Sequence, residues 1–364
     1  MSKAFDSIHH EYLIKKFLQH NIDCFWFQDY LSKRTQSVII GKYTSSPREI
    51  TYGVPQGSIL GPIMFTIFVN DMNKLATNCT LLQYADDSQF IFTGSIKEIE
   101  KLVQEVESTL KEVKSYFDVN GLKINSQKTQ IIILGSRQNI AKIPPNLCIN
   151  FDTHLIKPSK NVKNLGIHLD SYMTFDKHID EMCRKTMGTL IYLNRIKNSI
   201  DRNTRVIIVQ ALALSIINYC SRIWGCANKT QIQRVQKLQN FAAKVALGKG
   251  KKYDRATPYI NQLKWLKIEQ KNNFDMCILM YKIVNHMIPN TLFPMITVGE
   301  THQMHTRQIS NLYIPRTRTD MGKRQLLIRG PSLWNMLPND IKESVGLYSF
   351  KHKLKEHCSL EHYF

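Results

Sequence analysis

Several hallmarks of known protein classes are missing from this sequence of 364 residues. It has no run of about 18 apolar residues, so we expect no membrane-spanning helix. The opening residues, MSKAFDSIHH, lack the apolar stretch of a signal peptide and read as the interior of a fold. Internal repeats and low-complexity linkers are also absent, which argues against repeat arrays and disordered tethers.

Cysteines are few, and none are paired in sequence. The eight of them lie at positions 24, 79, 148, 183, 220, 226, 277 and 358. Without a C-x-x-C pair, zinc-finger and thioredoxin-like readings fail. Reduced thiols in an intracellular compartment, either nucleus or cytoplasm, are the expectation. A loose group of His352, His357, Cys358 and His362 is better explained as a polar helix end than as a metal site.

Acidic residues are scarce relative to basic ones. Asp and Glu total 29 against 49 Lys and Arg, which gives a net charge of +20. This excess is larger than solubility requires and favours a polyanionic partner such as nucleic acid, although a merely basic protein stays open. The basic run GKGKK at 248–252 lacks the spacing of a phosphate-binding P-loop.

The apolar patterning predicts an α+β fold. In the first part we predict a helix capped by Asp6, a hairpin over 34–54 with TSSP at its turn, and a buried helix from Leu60. Two strands flank YADD, an amphipathic helix runs to Gly121, and strands follow in LKINSQKTQIIILG and NVKNLGIHLD. From about residue 172 helices dominate, over 176–200, 203–225, 228–247 and 259–287, and after Pro289 the chain is irregular and basic.

The stretch QYADDSQFIF places two aspartates between strand-forming residues. At about 4 Å, two such charges repel by roughly 4 kcal/mol at an effective dielectric of 20. Asp86 and Asp87 could simply form a solvated turn, since Asp is common in turns. The apolar strands around them favour a second interpretation. A carboxylate pair at the mouth of a sheet can hold two Mg²⁺ ions, which activate an attacking oxygen and stabilise a leaving pyrophosphate.

Five stretches, in this order, resemble the reverse transcriptases of non-long-terminal-repeat retrotransposons. They are SKAFDSIHH, GVPQGSILGPIMF, YADD, GLKINSQKTQ and NVKNLGIHLD, and the tail GPSLWNMLPNDIKES resembles the C-terminal region of the same elements. The resemblance implies a right-hand polymerase palm, with an antiparallel sheet and helices on one face. It further implies a palm with partial fingers over 1–170, a helical thumb-like domain over 171–250, and a helical then basic C-terminal region over 251–364.

The resemblance also implies residue roles. Asp86 and Asp87 would be two of three catalytic carboxylates and would bind Mg²⁺, with Mn²⁺ as a substitute. Lys128 would protonate the pyrophosphate. Phe5 would exclude a ribose 2′-OH, and Gln56 and Gly57 would contact the nucleotide. The stretch around Leu165 and Gly166 would grip the primer end. Read without the resemblance, Phe5 is a core aromatic, GVPQGS is a turn and Lys128 is a surface lysine.

The chain departs from the family pattern at its start. Aligning MSKAFD with the family's first motif places the third catalytic Asp just before Met1, and the upstream fingers also have no counterpart. We therefore expect a truncated enzyme with little polymerase activity.

The expected partners are an RNA template, a DNA primer and dNTPs, bound through basic surfaces that do not read bases. The alternative is a non-catalytic nucleic-acid-binding protein on the same scaffold. A basic helical scaffold protein with chance motifs is a third reading.

Overall fold

The computed structural model describes residues 4–249, 254–289 and 311–360, with the side chains of 359 and 360 excepted. The chain divides into two compact units. The first consists of Met1–Ile133 and Arg137–Ser159, and the second of Leu134–Ser136 and Lys160–Phe364.

The first unit combines helices with short antiparallel hairpins. Its helices are α1 (His10–Gln19), α2 (Phe25–Leu31), α3 (Leu60–Val69), α4 (Ile99–Val119) and α5 (Arg137–Ile140). Its strands are β1 (Thr35–Gln36), β2 (Ile39–Ile40), β3 (Tyr43–Thr44), β4 (Arg48–Glu49), β5 (Thr80–Tyr84), β6 (Asp87–Ile91), β7 (Ile149–Phe151) and β8 (His154–Ile156). In the described residues, β1 pairs with β4, β2 with β3, β5 with β6, and β7 with β8, all antiparallel.

One apolar core holds the first unit together. The side chains of Phe17, Phe65 and Phe68, from α1 and α3, are fully buried. Each buried aromatic of this kind stabilises the fold by about 1.5–3 kcal/mol. The apolar face of the predicted amphipathic helix, α4, packs Val113 and Phe117 into the same core. Helix α3 therefore lies in the interior, as its nearly unbroken apolar sequence predicts.

Three local predictions for the first unit are wrong. The hairpin predicted over 34–54 turns at Gly41 and Lys42, between β2 and β3, and not at TSSP. Gly41 has φ of +61°, which a glycine adopts without strain. Residues 129–134 form no strand. Helix α1 begins after His9, whose ring accepts the amide N–H of Glu11 at 3.3 Å, so Asp6 is not its cap.

The second unit begins with a hairpin and continues in helices. Strands β9 (Asn161–Asn164) and β10 (Ile167–Asp170) pair in antiparallel register. The helices are α6 (Asp176–Arg195), α7 (Arg202–Val209), α8 (Ser215–Asn218), α9 (Ser221–Trp224), α10 (Lys229–Leu247), α11 (Thr257–Gln262), α12 (Ile268–Val284), α13 (Asp320–Lys323), α14 (Leu326–Asn335), α15 (Asn339–Lys342) and α16 (Leu347–Leu360). A π-helical turn, Gln210–Leu214, joins α7 to α8.

The predicted helices of this unit are present but more broken than expected. The 203–225 segment stops at Tyr219 and Cys220, where Cys220 has φ of +48°. The 259–287 segment splits at 263–267. Arg205 binds three carbonyl oxygens of neighbouring turns, those of Lys197, Ile200 and Ala246. This buried arginine therefore satisfies carbonyl groups left open after the end of α6 and in the last turn of α10.

The structure agrees with the predicted α+β class, as helices combined with two-stranded antiparallel sheets across the described residues. No helix in the described part of the chain is long and apolar enough to cross a membrane. The predicted palm and thumb assignments remain predictions. The basic stretch at 290–310, residues 250–253 and His362 lie outside the described residues.

Candidate functional site

The two aspartates stand at the tip of the β5–β6 hairpin. Tyr84 pairs with Asp87 across a two-residue turn made of Ala85 and Asp86. Ala85 has φ of +51°, in the left-handed region that L residues avoid. Asp87 is exposed and Asp86 is half-buried. The tip therefore presents two adjacent carboxylates on a tight and strained turn.

Alternation along the hairpin separates an inner face from an outer face. The pairs Leu81–Phe90 and Gln83–Ser88 lie on the inner face, and Leu81 and Phe90 pack against the core of the first unit. Next to the tip, the Gln83 amide nitrogen and the Ser88 hydroxyl are buried without a hydrogen-bond partner in the described residues. The hairpin is thus anchored by its apolar end, while polar groups sit directly behind the carboxylates.

Phe5 lies half-buried in the short helical turn Ala4–Asp6. Its ring stacks on that of Phe65, with centroids 4.5 Å apart and an interplanar angle of 23°. The core therefore fixes the orientation of the Phe5 ring.

The PQGS loop lies against the segment that carries Phe5. The Val54 N–H donates to the Phe5 carbonyl at 2.8 Å, and the Gln56 side-chain amide donates to Oδ1 of Asp6 at 2.7 Å. A Cβ on Gly53 would lie 3.1 Å from the Cα of Asp6, and the φ of +85° at this position is unfavourable for other residues, so glycine favours this close approach. Gly57, with φ of +80°, is exposed in open space. Phe5 and Gln56, which are far apart in sequence, are thus brought together.

Lys128 is exposed on the turn Ser126–Lys128, where its backbone N–H donates to Oδ1 of Asn125 at 3.1 Å. No ion pair formed within the described residues includes its ammonium group. The position leaves this lysine available to a ligand.

Leu165 and Gly166 form the turn of the β9–β10 hairpin in the second unit, with φ of +43° and +85°. The Tyr219 hydroxyl donates to the Leu165 carbonyl at 2.7 Å. A Cβ on Gly166 would lie 3.2 Å from the ring of Tyr219. Sequence reasoning missed Tyr219, because no local pattern connects it to a turn 54 positions away.

A partly buried ion pair in the first unit was also missed. The ammonium group of Lys16 contacts Oδ2 of Asp71, and the Tyr116 hydroxyl donates to Oδ1 of Asp71 at 2.5 Å. Burial raises the pKa of Asp71, but these hydrogen bonds outweigh it and hold the pKa below the usual 3.8. Burial and the same contact raise the pKa of Tyr116. This network ties α1 to α4 and is structural in character.

The acidic tip has donor chemistry suited to Mg²⁺ or Mn²⁺. Mg²⁺ in proteins is usually held by one or two carboxylates together with substrate phosphates and water. Asp86 and Asp87 would supply such carboxylates from an accessible turn. Within the described residues, no group of three His, Cys, Asp or Glu side chains converges on a common metal position.

Comparison with known proteins gives a family match over the part of the chain that carries the tip. The model of a family described as reverse transcriptase (RNA-dependent DNA polymerase) matches residues 1–169. A probable RNA-directed DNA polymerase from transposon BS of Drosophila melanogaster is 31% identical over 257 residues, which cover 66% of this chain and 28% of that protein.

Two further relatives are also named as proteins of mobile or retrotransposable elements. The RNA-directed DNA polymerase from mobile element jockey of Drosophila melanogaster is 26% identical, over 58% of this chain and 24% of that protein. A retrovirus-related Pol polyprotein from type-1 retrotransposable element R1 of Nasonia vitripennis is 27% identical, over 52% of this chain and 58% of that protein. The chain thus spans about a quarter of the length of these two Drosophila relatives.

Proposed function

Because the model of the reverse transcriptase (RNA-dependent DNA polymerase) family matches residues 1–169, we propose that the chain is part of an RNA-directed DNA polymerase of a non-long-terminal-repeat retrotransposon. Its substrates are dNTPs, a DNA primer and an RNA template. The observation that carries the proposal is the placement of Asp86 and Asp87 on the exposed tip of the β5–β6 hairpin.

Asp86 and Asp87 hold the divalent cations of the reaction. Mg²⁺ or Mn²⁺ held by these carboxylates would activate the primer 3′-hydroxyl and stabilise the charge of the leaving pyrophosphate. The inner-face anchors Leu81 and Phe90 keep the tip in place, since they pack in the core. Ala85, whose φ of +51° lies in the left-handed region, forms the two-residue turn with Asp86 and leads the chain into Asp87.

The segment with Phe5 and the PQGS loop form the nucleotide platform. Because Phe65 fixes its ring, Phe5 can exclude a ribose 2′-OH by contact and admit deoxyribose. Gln56 orients the incoming nucleotide, and Gly57 leaves room for close approach. The bond from Gln56 to Asp6 holds the loop in register with Phe5.

Lys128 donates a proton to the leaving pyrophosphate, a role that suits an exposed ammonium group on a short turn. The Leu165–Gly166 turn holds the primer end, and Tyr219 fixes its backbone. Residues 1–170 form the palm with partial fingers, and 171–250 form the thumb-like domain. The basic charge of the chain holds template and primer through their phosphates.

The test is primer extension on an RNA template with Mg²⁺ by a chain lengthened upstream of Met1 to restore the third catalytic Asp and the fingers. That lengthened chain is compared with its Asp86→Asn and Asp118→Asn variants. Asp118 is an exposed aspartate on α4 and serves as the matched control. We expect the lengthened chain to extend the primer with dNTPs, Asp86→Asn to abolish this extension and Asp118→Asn to retain it, while the 364-residue chain gives little extension. RNA binding without any extension above the Asp86→Asn level would instead favour a non-catalytic nucleic-acid-binding protein on this scaffold.

A further inference from the structure

A cleft that is distant in sequence from the acidic hairpin lies within the helical second unit. It has a volume of about 420 Å³ and is formed by parts of α10, α12, α13 and α14 with adjoining turns. Its lining includes four cationic side chains and one carboxylate, namely Lys229, Lys323, Arg324, Arg329 and Glu269, together with the amide of Asn273. The cleft is therefore strongly positive.

Arg329, on α14, is the unusual member of this group. Its Nη2 donates to Oδ1 of Asn273 at 3.0 Å. Its Nη1 is buried and has no hydrogen-bond partner within the described residues. Burial lowers the pKa of Arg329. A guanidinium whose Nη1 is buried without an acceptor is costly to a fold, because the lost hydration of that nitrogen is not replaced.

The neighbouring groups do not neutralise this charge. Glu269 is exposed, and no ion pair within the described residues joins it to Arg329. The Cys226 thiol, which also lines the cleft, donates to the Ile223 carbonyl, and burial raises its pKa, so it stays uncharged at neutral pH. Within the described residues, Glu269 favours the charged guanidinium from a distance, but no group accepts a hydrogen bond from Nη1 of Arg329.

The remaining cations suit such an anion. Lys229 and Lys323 are exposed at the rim, and Lys323 has only a 3.5 Å contact with exposed Asp320. Arg324 is partly engaged, since its Nη1 donates to the Met173 carbonyl at 3.1 Å. The two rim lysines are thus free to contact a ligand at the opening of the cleft, and Arg329 lies at its inner wall.

We propose that this cleft binds a phosphate group of a nucleic-acid backbone, with Arg329 as its inner contact and Lys229 and Lys323 as its outer contacts. The planar fork of an arginine matches phosphate geometry, and lysines add charge without demanding a fixed direction. The choice of nucleic acid as the source of the phosphate rests on the proposed function and on the net charge of +20. The cleft itself does not depend on the chemistry of the hairpin tip.

Thermal unfolding of the full chain in phosphate and in chloride at equal ionic strength tests the anion site. A ligand that binds the folded chain raises the melting temperature by mass action. We expect inorganic phosphate to raise the melting temperature of the wild type, and Arg329→Gln to lose at least half of that rise. Arg202→Gln, the same change at an exposed arginine of α7, is the matched control and should keep it.

Binding of a labelled single-stranded RNA of about 20 nucleotides tests the source of the phosphate. In a titration between roughly 50 and 200 mM salt, loss of one phosphate contact reduces the slope of log K against log salt by about 0.7. We expect this reduction in Arg329→Gln. The double variant Lys229→Ala, Lys323→Ala changes only exposed side chains, so it should keep its fold and show a larger reduction.

Several results would overturn the assignment. One is an equal rise of melting temperature in phosphate for the wild type and Arg329→Gln, and another is RNA binding unchanged in both cleft variants. Stabilisation by a poly-glutamate peptide but not by phosphate or RNA would mean that the cleft takes an acidic protein instead. A failure of the polymerase proposal can be distinguished from a failure of the cleft assignment, because Asp86→Asn should leave the rise of melting temperature in phosphate intact.

Discussion

The side-chain amide of Gln56 and the carboxylate of Asp6, 50 positions apart, are joined by a hydrogen bond of 2.7 Å. Backbone bonds from Gly53 to Ile8 and from Val54 to Phe5 reinforce this link. The loop that carries Gln56 and the turn that carries Phe5 therefore form one rigid piece. If both residues face the incoming nucleotide, their spacing is set before the nucleotide arrives.

Gln56→Ala should separate stability from nucleotide binding. The bond to Asp6 is exposed, so its loss should cost less than about 1 kcal/mol of unfolding free energy in a urea titration. Affinity for dNTP, measured with a DNA–RNA hybrid present, should fall by roughly tenfold, about 1.4 kcal/mol. Gln28→Ala, at an exposed glutamine of α2, is the control. Unchanged dNTP affinity in Gln56→Ala would remove Gln56 from the nucleotide platform.

Asp71→Asn should destabilise the first unit in a pH-dependent way. The hydrogen bonds from Lys16 and Tyr116 depress the pKa of Asp71 in the folded state. The ionised carboxylate therefore stabilises the fold above its unfolded pKa of about 3.9, and this contribution is lost as the pH falls through the lower folded value. We expect a loss of about 1–3 kcal/mol at neutral pH that shrinks below about pH 4.

The matched control for that change is Asp152→Asn. Asp152 also pairs with a lysine, Lys114, but both side chains are 40% exposed. An exposed pair is worth about 0–1 kcal/mol. Urea unfolding at several pH values compares the two variants, and equal losses would show that the Lys16–Asp71 pair is not the stronger contact.

Gly166→Ala should destabilise the β9–β10 hairpin by about 1–3 kcal/mol. Its φ of +85° is unfavourable for alanine, and the new methyl would lie 3.2 Å from the Tyr219 ring. Gly41→Ala places alanine at φ of +61° with nothing within 4 Å, so it reports the backbone strain alone. The difference between the two in urea unfolding measures the Tyr219 contact, and a Gly41→Ala loss as large as that of Gly166→Ala would contradict it.

Ala85→Gly should relieve strain at the acidic tip. The left-handed conformation of Ala85 costs about 1–2 kcal/mol, and glycine adopts it freely at an entropic cost of about 0.5–1 kcal/mol. We expect a gain near 0.5 kcal/mol in urea unfolding, together with weaker divalent-cation binding because the tip becomes more mobile. Tighter cation binding in Ala85→Gly would argue against a positioning role for the strained turn.

Local periodicity predicted the elements that depend on neighbours in sequence. The stripe of α4 and the alternation around Asp86 and Asp87 need only side-chain spacing, and both elements formed as expected. The apolar run Ile131–Ile133 wrongly predicted a strand. Its side chains are half-buried, and among the described residues the run makes one long-range backbone bond, from the Ser159 N–H to the Ile131 carbonyl. An apolar run is therefore insufficient for a strand when no partner strand lies beside it.

The site contacts that sequence did not predict all join distant segments. Asp6 was interpreted as a helix cap, yet it accepts the Gln56 amide. The Tyr219 hydroxyl donates to the Leu165 carbonyl, and Arg329 lines the cleft with an Nη1 that has no partner within the described residues. Neither residue has a sequence signature. Motif resemblance located Asp86, but tertiary contacts decide what holds its neighbours in place.

The central claim is that Asp86 and Asp87 bind divalent cations, and Mn²⁺ binding followed by electron paramagnetic resonance tests it directly. The titration uses the chain with dNTP and compares the wild type, the double variant Asp86→Asn, Asp87→Asn, and the control Asp118→Asn. We predict that the double variant loses at least tenfold in Mn²⁺ affinity, about 1.4 kcal/mol, while the control keeps it. Equal Mn²⁺ affinity in the wild type and the double variant would contradict the account.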